Sequence, residues 1–155
     1  DLSAVDTRDD SFEVLEYIKS TREESTQSAK SLANFGLAKE AQEVGAILVI
    51  VDEVVKHFKK DSSERAQVRD FAKYHMTRFN KLLAQYGELA SAHQTERIAT
   101  KLKTLRDVLI TIKDAYEDFY EKLILRQWEG LHIDGEAYKA VLNSEISTDK
   151  RRTTA

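Results

Sequence analysis

The sequence has no cysteine, no proline and only 5 glycines among its 155 residues. Without cysteine, disulfides, thiolate metal sites and a cysteine nucleophile are excluded. Proline and glycine are the usual interrupters of helices, and 33% of the residues are charged. The composition therefore favours long helices with solvated outer faces, and the length suffices for one domain with a real core.

Long apolar runs are absent as well. The longest runs from Val44 to Val51, far short of the roughly 20 residues that a membrane span needs, and no signal peptide is visible. We therefore expect a cytoplasmic domain whose membrane contact, if any, comes from a segment outside this chain. The net charge of -3 provides no overall basic field, so nucleic acid is not an expected partner.

Apolar periodicity predicts four long helices. The first runs from residue 11 to about Leu32, but Lys19 to Ser28 is almost wholly polar. We therefore expect it to pack at its ends and to be the least firmly held, unless its middle meets something outside this chain. The second runs from Leu37 to Lys60 in a heptad rhythm, which argues against a β-strand at Val44 to Val51. Its apolar positions are Leu37, Ala41, Val44, Leu48, Val51, Val55 and Phe58.

A central helix is predicted to follow a break at Asp61 to Glu64 and to run to about Ala90. Asp61 and Glu64 have the spacing of a capping box, and either Ser62 or Ser63 could cap the helix instead. Two adjacent apolar strips suggest that it touches neighbours on two sides. The main strip contains Val68, Phe71, His75, Phe79, Leu82, Tyr86 and Leu89, and the second contains Ala72, Met76, Leu83 and Ala90. His75 is interpreted as an interior imidazole rather than a metal ligand or proton shuttle.

A fourth, very regular helix is predicted from Thr95 to Gly130, followed by a short helix at Ile133 to Glu145. The predicted fold is thus an all-α antiparallel bundle of four long helices with a short C-terminal helix. The bundle domain spans residues 11–145. It lies between an acidic N-terminal tail, residues 1–10, expected as coil, and a disordered basic tail, residues 146–155.

Catalytic chemistry has no recognisable constellation in this sequence. Glu129 and His132 form the one Glu-x-x-His motif, and Gly130 interrupts it, so we predict no metal, no cofactor and no catalytic residue. The tentative partner-binding residues, along one flank of the central helix, are Tyr74, Arg78, Lys81 and Gln85. They equally fit the solvated border of a buried strip. Trp128 either closes the bundle end or anchors a partner.

A family resemblance is carried by the central helix, through Phe71-x-x-Tyr74 and Lys81-Leu82-Leu83-x-x-Tyr86-x-x-Leu89. It extends over roughly residues 44–145, and the chain resembles the 5-bromo-4-chloroindolyl phosphate hydrolysis proteins, the XpaC-like proteins. The family commonly has Tyr-Tyr-Leu-Pro-Thr where this chain has Tyr74 to Arg78, with Thr77 in place of proline. The resemblance implies a bacterial helical protein associated with toxic-anion (tellurite) resistance proteins.

Three functions follow as hypotheses. The first is a non-catalytic interaction module of a bacterial stress or toxic-anion resistance system, whose partner is another protein such as a toxic-anion resistance protein. The second is a phosphate-ester hydrolase, as the family name suggests. The third is a ligand-sensing four-helix bundle of a membrane receptor. The sequence leaves homo-oligomer formation open.

Overall fold

The computed structural model describes residues 2–130 and 139–144, with side chains from residue 10 to 126 and from 139 to 144. Those residues are helical apart from short connections, and no strand occurs among them. The helices are α1 (Leu2–Asn34), α2 (Ala38–Lys60), α3 (Arg65–Asp70), a π-helix (Phe71–Met76), α4 (Thr77–Ser91), α5 (Glu96–Lys103) and α6 (Leu105–Gly130). The predicted all-α class is confirmed.

We call α3, the π-helix and α4 together the central helix, because their junction residues keep right-handed helical dihedral angles. Asp70 lies at φ -63° and ψ -41°, and Thr77 at φ -63° and ψ -44°. The long helix predicted here therefore exists, from Arg65 to Ser91. It is not a uniform α-helix, and the π-helix in its middle decides which side chains are buried.

Helix ends follow local capping chemistry. Gly36 adopts φ 86°, and the amides of Gly36 and Leu37 bond to the carbonyls of Ala33 and Leu32 at 3.0 and 2.9 Å. This is the double hydrogen bond of a Schellman motif, for which glycine supplies the left-handed residue. At the start of α5, the Thr95 hydroxyl accepts the Ile98 amide at 3.2 Å, as an N-cap should.

Two boundary predictions were wrong. Residues 1–10 were expected as coil, but α1 begins at Leu2. The capping box of Asp61 and Glu64 does not form: the Asp61 carboxylate accepts the Ser63 amide at 3.0 Å, and Glu64 makes no side-chain cap at α3. Hydrogen bonding by the Ser63 side chain, and then by the Ser63 amide, lowers the pKa of the Asp61 carboxyl.

By its contacts the chain divides into Asp1–Tyr120 and Glu121–Ala155, and the packing below is that within the first unit. α1 packs against α2 and against the central helix. Along α1 and the central helix, contacts advance together, from Asp10 with Arg69 to Ser25 with Asn80, so these two helices are parallel. Between the central helix and α6 they run oppositely, from Phe71 with Phe119 to Phe79 with Tyr116. This up-and-down order matches the predicted bundle.

The core of this unit draws on all the long helices. Its buried apolar residues include Val14, Ile18, Leu32, Val44, Ile47, Leu48, Val51, Val54, Phe58, Leu105 and Leu109. Of the predicted heptad positions, Val44, Leu48, Val51 and Phe58 are buried, whereas Leu37, Ala41 and Val55 are half-buried. Ile47 and Val54, which lie outside the predicted heptad, are also buried. The predicted fourth helix has one extra interruption, at Thr104, where α5 ends and α6 begins.

The second unit is described from residue 121 to 130 and from 139 to 144. There Leu123 is buried, whereas Leu125 is exposed, and residues 139–144 are helical. The other residues of the short helix predicted at Ile133 to Glu145, and all of the tail predicted at 146–155, lie outside the described residues. The Trp128 side chain also lies outside them.

Candidate functional site

A π-helix from Phe71 to Met76 stands in the middle of the central helix. In a π-helix the hydrogen bonds join residues five apart, so each turn is wider than an α-turn, and such turns are frequent at functional sites. Phe71 and Met76, which are five residues apart, are both buried, whereas His75, four residues after Phe71, is exposed. The π-helix thus determines which face of the following helix is buried in the core.

That choice overturns part of the predicted main strip. His75 is exposed, and Leu82 and Leu89, which follow it at heptad spacing, are half-buried. The core instead follows Met76 and Leu83 from the second strip. The interior imidazole predicted at His75 was wrong, because the wider turn carries this residue out to the surface.

The four tentative partner-binding residues, Tyr74, Arg78, Lys81 and Gln85, are all exposed. The structure brings two of them into contact: the Arg78 guanidinium carbon lies 4.0 Å from the centre of the Tyr74 ring, a cation–π arrangement. Tyr74 keeps 52% of its surface exposed. Lys81 and Gln85 continue the same flank of α4 without contacting that pair through any described bond.

Three cations on this surface form no ion pair with the side chains that the structure describes. Within residues 10–126, the described ion pairs join Arg22 to Asp52 and both Arg65 and Arg69 to Asp10. Lys73 instead lies 6.0 Å from the ring centre of Tyr17, and Arg78 lies over Tyr74. Lys81 makes no described ion pair. We call Lys73, Arg78 and Lys81 the basic flank.

An apolar groove of about 270 Å³ separates the central helix from α6. We call it the groove. The side chains lining it include His75, Arg78 and Leu82 from the central helix and Val108, Ile112 and Tyr116 from α6. A second, shallower depression of about 430 Å³ lies on the other side of His75, among Asp70, Lys73 and Tyr74. The exposed side chains of the π-helix therefore stand between two concave surfaces.

Tyr116 is the unusual polar residue of the groove. It is 4% exposed, and its ring meets Phe71 edge-on at 4.8 Å between centres. Its buried hydroxyl has no hydrogen-bond partner, and burial raises the pKa of this phenol. A buried hydroxyl is usually satisfied, so this one is an exception within the described residues.

Polar residues fasten α1 to the central helix beside the π-helix. The Ser25 hydroxyl donates to the Asn80 side-chain oxygen, and the Asn80 amide nitrogen donates to the Thr21 carbonyl at 2.9 Å. The hydroxyls of Tyr17 and Thr77 share a further hydrogen bond. We call these residues the polar seam. The expectation that the middle of α1 is loosely held was wrong, because Thr21 and Ser25 are buried here.

Comparison with known proteins identifies a family for this chain. The family model described as "5-bromo-4-chloroindolyl phosphate hydrolysis protein" matches residues 7–134, a span that contains the groove, the basic flank and the polar seam. The chain belongs to this family. Neither a curated protein nor a solved structure matches the chain.

The resemblance drawn from the central helix is thereby confirmed for this member of the 5-bromo-4-chloroindolyl phosphate hydrolysis protein family. Thr77 directly follows the π-helix and joins the polar seam. Its backbone amide also donates to the Tyr74 carbonyl, a bond that proline lacks the N–H to make. In this family member, therefore, a threonine ties the end of the π-helix to α1.

No group of three or more histidine, aspartate or glutamate side chains is placed to hold a metal ion in the part of the chain that the structure describes. Across 2–130 and 139–144, none of the helices combines the length and apolar character that crossing a bilayer requires.

Proposed function

We propose that this chain is a non-catalytic interaction module that docks a partner protein in the bacterial cytoplasm. The docking surface is Tyr74, Arg78, Lys81 and Gln85. The system it serves is stress or toxic-anion (tellurite) resistance, with which the resembling XpaC-like proteins are associated; the partner is then a toxic-anion resistance protein.

One observation carries the proposal: an exposed tyrosine lies under an arginine that pairs with no carboxylate within residues 10–126, and both lie beside an apolar groove. Tyrosine and arginine are enriched among the residues that dominate binding energy at protein interfaces. Tyr74 loses few rotamers when it is covered, because Arg78 already packs on its ring.

The test is affinity capture of partners from the native host with the tagged chain. Tyr74→Ala combined with Arg78→Ala should abolish recovery of a protein that the wild-type chain retains. The matched control is Arg97→Ala combined with Lys101→Ala on α5, where both side chains are exposed. Both variants should melt like the wild type. Equal capture by the docking variant and the control would refute this surface as the docking site.

A phosphate-ester hydrolase is the second candidate, because the family description refers to hydrolysis of such an ester. We predict that the purified chain does not turn over chromogenic phosphate esters above background, with or without added divalent metal. The prediction rests on the lack of any recognisable nucleophile–base pair or phosphate-binding loop in the sequence. Turnover that recurs across independent preparations, and that one substitution in this chain removes, would overturn it.

A further inference from the structure

We infer that the partner presents an amphipathic helix whose apolar side chains enter the groove and whose carboxylates lie over the basic flank. The inference rests on the proposed docking function and specifies the chemistry of the partner.

The groove fits the apolar side of such a helix. It lies between two helices, and its floor contains Leu82, Val108 and Ile112. An amphipathic helix commonly lies in a groove of this kind, with apolar anchors one turn apart. At about 270 Å³, the groove has room for one or two large apolar side chains rather than for a whole buried helix.

The positive charges of the basic flank favour a partner helix with an acidic edge. Lys73, Arg78 and Lys81 are exposed, and no carboxylate within residues 10–126 forms an ion pair with them. The whole chain carries a net charge of -3, so the basic flank is a local feature of an acidic protein. A partner with carboxylates above this flank would gain favourable electrostatics without the general attraction that draws in nucleic acid.

Charges on α6 outside the groove lining bear on the orientation of the partner. α6 exposes Asp107 and Asp114, which would repel carboxylates that extend over that helix. The acidic edge of the partner therefore lies over the central helix, and its neutral or basic edge lies over α6. Like-charge contacts of this kind contribute to specificity by excluding the wrong orientation.

The probe is a fluorescein-labelled designed helical peptide with a leucine stripe, glutamates along one edge and glutamines along the other. Fluorescence anisotropy should show saturable binding to the full chain that weakens as salt is raised. A peptide with lysine in place of every glutamate should bind at least about tenfold more weakly. A peptide that keeps the glutamates but carries serine in place of the leucines should also fail to bind.

Variants of the chain separate the two contributions. Arg78→Glu combined with Lys81→Glu should weaken binding of the acidic peptide about tenfold. Ala115→Trp, which adds bulk at an exposed position lining the groove, should abolish binding. Arg97→Glu combined with Lys101→Glu, at exposed positions on α5, is the matched charge-reversal control and should leave the affinity within about twofold. Circular dichroism melts must match the wild type for each variant.

Equal binding of the acidic and basic peptides would overturn the inference, and so would binding that survives both Arg78→Glu with Lys81→Glu and Ala115→Trp. Tighter binding of a single-stranded oligonucleotide than of the acidic peptide would do the same. If the peptide fails while Tyr74→Ala with Arg78→Ala still loses the host partner, only the stated partner chemistry is wrong. If those substitutions leave host capture intact, the proposed docking function itself is wrong.

Discussion

Two tyrosines of the core, Tyr86 and Tyr116, show that a buried hydroxyl group can either stabilise or destabilise the fold. Each is 4% exposed. The Tyr86 hydroxyl shares a hydrogen bond of 2.8 Å with the Thr104 hydroxyl, whereas the Tyr116 hydroxyl is buried without a partner. Burying a polar group costs free energy unless a hydrogen bond replaces the one lost to water. Tyr116 therefore contributes through its ring, and Tyr86 through both ring and hydroxyl.

Replacing each tyrosine with phenylalanine tests this contrast. Tyr116→Phe should leave the free energy of unfolding unchanged or raise it by up to about 1 kcal/mol, because it removes an unsatisfied hydroxyl. Tyr86→Phe should lower it by about 1 kcal/mol, because it removes a satisfied one. Urea unfolding followed by circular dichroism measures both. A clear loss of stability in Tyr116→Phe would show that its hydroxyl is satisfied in solution.

Leu82 and Leu83 are neighbours in sequence but differ in their surroundings. Leu83 is 1% exposed, whereas Leu82 is half-buried and lines the groove. Leu83→Ala should therefore lower the free energy of unfolding by about 2–5 kcal/mol, as a core leucine does, and Leu82→Ala by clearly less. Denaturant melts of the two variants, run side by side, decide the matter. The reverse order would mean that the helix follows the register predicted from sequence.

At the scale of the element, the sequence predicted which segments are helical better than which face each helix buries. The helix predicted from Leu37 to Lys60 and the helix start predicted at Thr95 rest on local patterns, and the structure has helices at Ala38–Lys60 and from Glu96 onward. The π-helix carries no glycine or proline to announce it. The burial of Thr21 and Ser25 depends on Asn80, more than 50 residues away. Local periodicity therefore could not predict either feature, and Leu82 and His75 were assigned to the core.

The four tentative site residues were chosen from polarity along one flank, and that part of the reasoning survived. A regular α-helix and the observed helix both leave Tyr74, Arg78, Lys81 and Gln85 outside. The groove and the cation–π pair could not be predicted, because both depend on how α6 packs and on side-chain placement. Lys73 and His75 were not selected for the site, although both line the depression next to Tyr74.

The π-helix also makes a prediction about chain length. A π-turn holds one more residue per hydrogen-bonded ring than an α-turn. Deleting the exposed Lys73 from within it should therefore restore an α-helical turn and keep the register of α3 and α4. Deleting the equally exposed Lys81 from α4 should rotate every later side chain and dislodge Leu83 and Tyr86 from the core. Thermal melts should show a cooperative transition for the first deletion, and a severely weakened one for the second. Similar damage from both deletions would contradict this account.

At the scale of the whole first unit, α1 is the helix that joins α2 to the central helix. It contacts α2 and the central helix, although its middle is the most polar stretch of any helix in the described chain. Outside the polar seam, Arg22 reaches Asp52 of α2 through two nitrogen–oxygen contacts of 2.6 and 2.9 Å. Asp10 contacts both Arg65 and Arg69 of α3. Polar contacts therefore set which helices α1 meets, while Val14, Ile18 and Leu32 supply its buried apolar area.

Asn80 links the central helix to α1 through three side-chain hydrogen bonds. It is 4% exposed, and its amide nitrogen bonds the Thr21 carbonyl at 2.9 Å and the Glu24 carboxylate at 3.1 Å. Asn80→Ala should lower the free energy of unfolding by about 1–3 kcal/mol, because it leaves buried polar groups of α1 without their partner. Gln85→Ala, at an exposed position on the same helix, should change it by less than about 0.5 kcal/mol.

The double variant Asn80→Leu with Ser25→Ala separates a specific polar contact from simple burial. It removes the hydrogen-bonding side chains on both sides of the seam and leaves an apolar contact in their place, which can be nearly neutral. We therefore expect it to be more stable than Asn80→Ala, while hydrogen exchange of the α1 amides shows looser fixation of that helix.

An interaction energy near zero in a double-mutant cycle of Ser25→Ala with Asn80→Ala would contradict the seam, because residues in direct contact should couple. A large coupling would show that polar side chains, rather than an apolar stripe, hold α1 in register with the central helix.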